Sequence, residues 1–248
     1  MLDRLRTVCG ILRSLRIYYG DRTRAAKMDR LYGTFVQRGD LVFDIGAHVG
    51  DRIAAFRRLG ARVIAAEPQR GLVTVLRWLY RRDTEVVIEP VAIGQSPGFV
   101  DLRINVANPT VSTASEQFID AAREAHGWRE QRWTRSERVP VTTLDALIAR
   151  HGIPAFIKID VEGFEAEALA GLTQPVQALS FEFTTIQRDV AVACIARCRA
   201  LGFTRFNAAL GESQTLLHGD GIDADAITRW LVELPHEANS GDVYAALR

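Results

Sequence analysis

The sequence feature that most constrains the fold is a glycine-containing turn between a short apolar run and a helical pattern. The run at residues 41–43 (LVF) leads into the turn at residues 44–50 (DIGAHVG), and a second apolar run at residues 63–66 ends at Glu67. Glycines let a backbone approach a ligand closely, and a carboxylate about 20 residues further on accepts hydrogen bonds from ribose hydroxyls. Gly46 and Glu67 are separated by 21 residues. The two signals together predict a nucleoside-binding site at the ends of two neighbouring strands.

Apolar runs alternate with helical patterns along the chain, which predicts an α/β fold with a mostly parallel sheet and helices on both faces. Core strands are predicted at residues 41–45, 62–66, 85–88, 155–161 and 178–183, with two late strands near 204–209 and 242–247. Helices are predicted at residues 51–59, 71–80, 144–150, 164–169 and 190–201. Residues 99–106 read as an exposed strand, whereas residues 108–138 are polar and show no clear period. We expect an irregular lid or a mobile loop at residues 108–138.

The composition indicates one main globular domain and no nucleic-acid partner. The chain has 248 residues, of which 48% are hydrophobic and 25% charged, and its net charge is only +1. We expect an N-terminal helical extension at residues 1–38 and a main domain at residues 39–248, with a substrate or lid insertion at about 99–138. The three cysteines form neither a disulfide framework nor a zinc spacing, and no apolar run reaches membrane-spanning length. A cytoplasmic protein is therefore expected.

The N-terminal extension begins with an amphipathic helical pattern at residues 2–19. Leu5, Val8, Leu12, Leu15 and Tyr19 share one predicted face, and arginines lie mostly elsewhere. Such a basic helix could lie on an anionic membrane, and more commonly it packs on its own domain or on another subunit of a homo-oligomer.

The identity of the nucleoside depends on the middle of the turn. A dinucleotide-binding fold needs a second glycine two positions after Gly46, where the backbone meets the pyrophosphate. That position is His48, so the turn disfavours NAD. S-adenosylmethionine has no pyrophosphate, and Asp44 at the strand end could bind its ammonium group. Each signal on its own also has an ordinary explanation. An Asp-x-Gly sequence at a strand end is common in turns. Glu67, which precedes Pro68, could be a carboxylate at the N-terminus of the next helix.

Several segments, in this order, resemble the S-adenosylmethionine-dependent methyltransferases of the FkbM type. They are residues 39–50 (GDLVFDIGAHVG), 63–68 (VIAAEP), 91–94 (VAIG), 143–145 (TLD) and 157–165 (IKIDVEGFE). The resemblance runs from about Leu31 to Phe183. The IKIDVEG run is its most specific part, because an NAD enzyme gives no reason to expect it.

The resemblance implies a class I methyltransferase fold, with a seven-stranded, mostly parallel sheet whose last strand is antiparallel. It also implies acceptors that are hydroxyl groups of sugars, polyketides and other small secondary metabolites. His48 stands where the family more often has asparagine, which opens a special role for the imidazole. The residues that the resemblance places around the cofactor are Asp44, Gly46, Ala47, His48, Gly50, Glu67, Pro68 and Ala92.

Carboxylates follow the fourth and fifth core strands, at the sheet edge where ligands of α/β folds bind. Asp160, Glu162 and Glu182 are expected to lie close together there, with Lys158 on the same side of its strand. Their repulsion requires a raised pKa on one carboxyl, a basic partner, or a divalent metal. A raised pKa makes Asp160 the first choice of general base, whereas a cation such as Mg²⁺ bound by Asp160 and Glu182 would acidify a substrate hydroxyl.

Other interpretations of these residues remain open. Lys158 could pair with a carboxylate while Glu162 caps the following helix, and His48 is an alternative base. In the middle segment, hydroxyl groups and two tryptophans could contact a sugar or could be ordinary loop residues; they are Thr110, Ser112, Thr113, Ser115, Trp128 and Trp133.

We therefore expect an S-adenosylmethionine-dependent O-methyltransferase that acts on a hydroxyl of a sugar, glycan or secondary metabolite. The rival hypotheses are an NAD-dependent oxidoreductase and a non-catalytic partner protein that keeps the fold.

Overall fold

A seven-stranded sheet forms the centre of the computed structural model, which describes residues 10, 12–17 and 19–247. A second sheet of three strands packs beside it. In chain order the strands of both sheets are β1 Leu41–Ile45, β2 Arg62–Ala66, β3 Val86–Glu89, β4 Ala92–Ile93, β5 Gly98–Ile104, β6 Arg135–Thr142, β7 Phe156–Ile159, β8 Ala178–Thr184, β9 Arg205–Leu210 and β10 Ser240–Ala246.

The strand order of the large sheet is β3-β2-β1-β7-β8-β10-β9. Strands β3, β2, β1, β7 and β8 are parallel, whereas β10 pairs antiparallel with both β8 and β9. The last strand of the chain is thus inserted between two earlier ones. The predicted seven-stranded, mostly parallel sheet with an antiparallel last strand is confirmed, and the strand ends differ from the predicted ones by no more than about two residues.

Helices cover both faces of the large sheet. Because successive side chains of a strand point to opposite faces, Phe43 and Ile45 of β1 belong to one apolar core and Val42 to the other. Within residues 20–247 the α-helices are α1 Arg22–Tyr32, α2 Asp51–Arg58, α3 Arg70–Leu79, α4 Glu116–Glu124, α5 Leu144–His151, α6 Glu165–Ala170, α7 Arg188–Ala200 and α8 Ala224–Glu233. Helices α5, α6 and α7 bury side chains in the first core, and α1 and α2 in the second.

The expectation of an irregular segment at residues 108–138 is wrong. This part of the chain forms a 3₁₀ turn at Pro109–Val111, helix α4 and the start of β6. β6 pairs antiparallel with β5 and parallel with β4, which makes the second sheet. β6 buries only Val139 fully, so its exposed polar residues concealed the strand in the sequence.

Helix α8 was also absent from the sequence-based prediction. Its signals were an aspartate cap and two apolar residues four positions apart. The side chain of Asp223 accepts a hydrogen bond from the backbone N–H of Ala226, and Ile227 and Leu231 are fully buried against α7 and β9.

The described part of the N-terminal extension contacts the glycine turn. Residues 12–17 are helical, and Leu15 packs against Val49 and Leu72. The Tyr19 hydroxyl donates to the carbonyl oxygen of Val49 at 3.1 Å. Leu12 and Tyr19 are nevertheless 59% and 44% exposed, so the predicted apolar face is not buried as a unit. Leu5 and Val8 lie outside the described residues.

None of the described helices has both the length and the apolar character needed to span a membrane.

Candidate active site

Gly46 lets the turn after β1 pass directly against the end of β7. Its φ angle is +85°, and a Cβ atom there would lie 1.8 Å from the backbone oxygen of Asp160. Only glycine has no Cβ and adopts this left-handed conformation freely. The backbone N–H groups of Gly46 and Ala47 both donate to the carbonyl oxygen of Ala66, which ties the turn to β2.

Glu67 fixes the other side of the turn. Its two carboxylate oxygens accept hydrogen bonds from the backbone N–H groups of His48 (2.9 Å) and Gln69 (2.8 Å). Burial raises the pKa of Glu67 to about 7, although these two hydrogen bonds lower it. Each carboxylate oxygen can accept a second hydrogen bond, so Glu67 can hold the turn and still bind hydroxyl groups.

A cavity opens between the turn, the end of β7 and the small sheet. It encloses about 540 Å³ of empty space, counting the part open to solvent. Of the predicted cofactor residues, five line this cavity: Gly46, His48, Glu67, Pro68 and Ala92. Asp44, Ala47 and Gly50 do not line it. Lining residues that the sequence did not indicate as cofactor contacts include Gln69, Ile93, Leu102, Ala114 and Phe164.

Asp44 sits at the end of β1 with 1% of its surface exposed, beside Lys158 in the strand register. Burial raises the pKa of Asp44 to about 7; the charge of Asp51 adds to this, and the charges of Arg52 and Lys158 oppose it. Within the part of the chain that the structure describes, its Oδ2 atom has no hydrogen-bond partner. A buried acceptor without a donor is costly, and it is suited to a cationic group of a ligand.

His48 lies in the turn with φ +48°, and its side chain lines the cavity. Its Nε2 atom is 3.3 Å from the hydroxyl of Thr110. Burial lowers the pKa of His48 to about 4, against the charges of Asp51 and Asp160. The imidazole is therefore neutral at pH 7. It can form hydrogen bonds as an asparagine would, but it is a weak general base.

Three carboxyl groups, called the acidic cluster below, meet at the ends of β7 and β8. One oxygen from each of Asp160, Glu162 and Glu182 lies within 4.8 Å of the others. Asp160 and Glu162 also line the cofactor cavity. The expectation that these three residues lie close together is thus met by the structure.

A buried lysine stands beside the acidic cluster. Lys158 is fully buried, and its Nζ atom is 3.1 Å from Asp160 Oδ2 and 2.9 Å from Asp242 Oδ1. The interpretation of Lys158 as the partner of a carboxylate is therefore supported, and Asp242 is a second partner that the sequence did not indicate. Asp242 lies on β10 opposite Glu182 of β8.

The three carboxyl groups of the acidic cluster differ in their pKa values. Burial would raise the pKa of Asp160, but the charges of Lys158 and Arg52 and a hydrogen bond with Glu182 hold it below its usual value. Burial and the charge of Asp160 raise the pKa values of Glu162 and Glu182 well above the usual range. The raised pKa that we expected on Asp160 therefore falls on its two neighbours.

The interpretation of Glu162 as the cap of the next helix is wrong, because the N-cap residue is Phe164 and no side chain caps this helix. The carboxylate of Glu165 accepts hydrogen bonds from the backbone N–H groups of Val161 (2.9 Å) and Gly163 (3.0 Å). Glu162 has a left-handed backbone, with φ +56°. Its carbonyl oxygen accepts a hydrogen bond from Thr113 at 2.6 Å, which ties the 3₁₀–α4 segment to the cluster.

The segment before β6 closes over the site. Thr110 and Ser112 line the cavity, whereas Ser115 caps α4. Trp128 and Trp133 both pack edge-on against Phe118 of α4. The two indole N–H groups are used within the protein, by Asn239 Oδ1 and the Val111 carbonyl oxygen respectively.

The strand order, the glycine turn and the carboxylate after β2 define the class I methyltransferase fold, that of enzymes that use S-adenosylmethionine. Residues 44–203, more than half of the chain, match the model of the methyltransferase FkbM domain. The chain belongs to the FkbM methyltransferase family and is an S-adenosylmethionine-dependent methyltransferase. Comparison with curated proteins found no match.

Solved structures with a similar fold include two methyltransferases and a fibrillarin. Precorrin-6Y C5,15-methyltransferase from Geobacter metallireducens is 10% identical, with 90% of this chain and 86% of that chain covered and a TM-score of 0.43. A TehB-like SAM-dependent methyltransferase from Corynebacterium glutamicum is 10% identical, with coverage of 90% and 88% and a TM-score of 0.44. Fibrillarin from Aeropyrum pernix with bound S-adenosylmethionine is 10% identical, with coverage of 86% and 68% and a TM-score of 0.44. At this identity the likeness concerns the fold alone.

We predict that Lys158→Met destabilises the protein by about 3–5 kcal/mol, because it leaves Asp160 and Asp242 buried without their cation. Urea unfolding followed by circular dichroism measures the change. Lys27→Met is the matched control, since Lys27 is exposed on α1. Equal free energies of unfolding for the two variants would show that the buried ion pairs contribute nothing to stability.

We predict that Glu67→Gln weakens the binding of S-adenosylhomocysteine about tenfold or more. Both carboxylate oxygens face backbone N–H donors, so an amide NH₂ group would oppose a donor in either orientation. Isothermal titration calorimetry measures the affinity, and Glu85→Gln, at an exposed position before β3, is the control. Unchanged affinity in Glu67→Gln would remove this residue from the cofactor site.

The affinity for S-adenosylhomocysteine should also rise with pH and level off above about 7. The ligand's hydroxyl and ammonium groups favour the ionised carboxylates, whereas Glu67 and Asp44 hold protons below their raised pKa values of about 7. Each group would weaken binding about tenfold for each pH unit below 7. Titrations between pH 6 and 8 that show constant affinity would contradict this assignment.

Proposed function

We propose that the protein transfers the methyl group of S-adenosylmethionine to a hydroxyl group of a sugar, a glycan or another secondary metabolite. The observation that carries this proposal is the acidic cluster beside the cofactor cavity. An alcohol must lose a proton as it is methylated, because a neutral hydroxyl is a poor nucleophile at neutral pH. Carboxylates at the cavity wall can accept that proton and can also hold neighbouring hydroxyl groups.

The residues around the cavity have separate tasks in this proposal. Glu67 accepts the ribose hydroxyls. Asp44, which is buried at the end of β1 and does not itself line the cavity, has one unpaired oxygen and is assigned to the ammonium group. The cofactor supplies the electrophilic methyl group on its sulfonium. Gly46 brings the turn against the backbone of Asp160, so the cofactor turn and the first carboxylate of the cluster form one rigid unit. Such a unit can hold nucleophile, methyl and sulfur in line.

The acceptor oxygen forms a bond to the methyl carbon while the carbon–sulfur bond breaks, and the hydroxyl proton leaves. Asp160 is the candidate base by position, since it faces the cavity and stays ionised beside Lys158, but its lowered pKa makes it, like His48, a weak base. His48, the alternative base, is neutral but weak, and its neutral imidazole is suited to hydrogen bonding. Asp160 and Glu182 also fit the oxygen ligands of Mg²⁺, which would acidify the hydroxyl directly.

The middle segment is the proposed acceptor site. Thr110 and Ser112 add hydroxyl groups to the cavity wall, which Phe164 also lines. Hydroxyl and carboxylate groups around an aromatic surface suit a polyol. The family assignment stands against the rival NAD-dependent oxidoreductase and against a partner protein without activity.

The acceptor class is tested by incubating the protein with methyl-labelled S-adenosylmethionine, Mg²⁺ and panels of glycans and hydroxylated metabolites, followed by mass spectrometry of the products. We expect methyl ethers. Labelled products that carry the methyl group only on nitrogen, carbon or carboxylate acceptors would contradict the proposal.

We predict that Asp160→Asn lowers turnover about 10²- to 10⁴-fold, the usual contribution of a general base, while affinity for S-adenosylhomocysteine changes little. Asp145→Asn is the control, since Asp145 bonds to Thr173 away from the cavity. Unchanged turnover of Asp160→Asn would remove Asp160 from the mechanism.

A further inference from the structure

The short N-terminal helix at residues 12–17 lies beside α3 on the outside of the protein. Leu15 of the N-terminal helix and Val75 of α3 belong to one apolar cluster. Further along, the hydroxyl groups of Tyr19 and Tyr80, which follow the two helices, are 3.3 Å apart. Contacts at both places show that the two helices run side by side, so their outer sides form one joint surface.

Large apolar side chains are exposed on both helices. Leu12 and Ile17 of the N-terminal helix are 59% and 53% exposed, and Trp78 of α3 is 64% exposed. Trp78 lies one helical turn after Val75, next to the contact with the N-terminal helix. A single exposed apolar side chain is ordinary, whereas several on one surface indicate an interaction site.

The same surface carries positive charge and little negative charge. Residues 4–20 and 68–82 contain no aspartate and no glutamate. The acidic residues that follow, Asp83 and Glu85, are paired with arginines of α2 and β2. The exposed basic side chains of the two helices and of the turn after α3 are Arg13, Arg16, Arg70, Arg77, Arg81 and Arg82. Together with Leu12, Ile17 and Trp78 they make up what is called the paired-helix surface below.

Arginines beside exposed apolar side chains match the chemistry of an anionic phospholipid membrane. Guanidinium groups are attracted to the phosphates, while tryptophan and aliphatic side chains enter the boundary between headgroups and acyl chains. The guanidinium of Arg81 lies 5.1 Å from the centre of the Trp78 ring, so a cation and an aromatic ring are already held together. A nucleic acid would use the arginines and leave Leu12 and Ile17 without an apolar partner.

We propose that the paired-helix surface docks the protein on a membrane of anionic phospholipids. This surface borders the active site, because Arg13 and Ile17 line a second cavity together with Thr110, and Thr110 also lines the cofactor cavity. Docking therefore brings that side of the active site close to the lipid headgroups. The inference goes beyond the proposed function and does not depend on which acceptor is methylated.

The test is co-sedimentation of the full chain with vesicles of phosphatidylcholine alone and with vesicles of phosphatidylcholine and phosphatidylglycerol. We expect binding only to the anionic vesicles, and weaker binding as the salt concentration rises. Substituting Arg13→Gln and Arg16→Gln together should weaken this binding about fivefold for each arginine removed. Trp78→Ser should weaken it about tenfold, because the ring no longer leaves water.

Arg229→Gln and Val232→Ser are the matched controls, since both positions are exposed on α8. Helix α8 contacts β9 at one edge of the large sheet, whereas α3 contacts β3 at the other. Both control variants should bind anionic vesicles as the unchanged protein does. Binding of S-adenosylhomocysteine shows that the fold of each variant is intact.

The docking inference is overturned if a chain that binds S-adenosylhomocysteine does not bind anionic vesicles or binds neutral vesicles equally well. It is also overturned if the substitutions in the two helices leave vesicle binding unchanged, or if single-stranded RNA binds more tightly than the anionic vesicles do. Methyl transfer to hydroxyl acceptors is measured without vesicles, so the proposed function stands or fails separately.

Discussion

The buried ammonium group of Lys158 organises the edge of the sheet where the site lies. It joins Asp160 at the end of β7 to Asp242 on β10, two strands separated in the sheet by β8. Without that charge, the carboxyl groups at the ends of β7, β8 and β10 would repel one another in a buried setting. Lys158 keeps Asp160 ionised at the cavity wall while Glu182 and Glu162 stay beside it. The arrangement concentrates acceptors for protons or cations at one point.

The cofactor turn depends on the same strand end. Gly46 passes against the backbone oxygen of Asp160, and Glu67 holds the other side of the turn through two backbone N–H groups. A shift of β7 would therefore move both the turn and the carboxylate. This shared support is the physical reason why a nucleoside site and a proton-accepting cluster occur together in this fold.

The sequence predicted those parts of the molecule that local chemistry determines. The seven core strands are short apolar runs ended by turns, and the turn at Gly46 with the carboxylate at Glu67 is a local signal in two consecutive strand–helix units. Of the small sheet, β5 was predicted as an exposed strand at residues 99–106, whereas β4, β6 and α8 were missed because their burial depends on distant partners. Asp242 was missed for the same reason: it meets Lys158 only because β10 inserts between β8 and β9. The failure of Glu162 as a helix cap follows from its left-handed backbone and from Phe164 at the N-cap position, which no spacing reveals.

The most direct test of the account is a crystal structure of the protein with S-adenosylhomocysteine. The account predicts that the ribose hydroxyls donate to Glu67 and that the sulfur faces the space beside Asp160 and Glu182. Adenosine bound away from Glu67, or a sulfur directed away from the acidic cluster, would contradict the claim that the cofactor turn and the carboxylates form one methyl-transfer site.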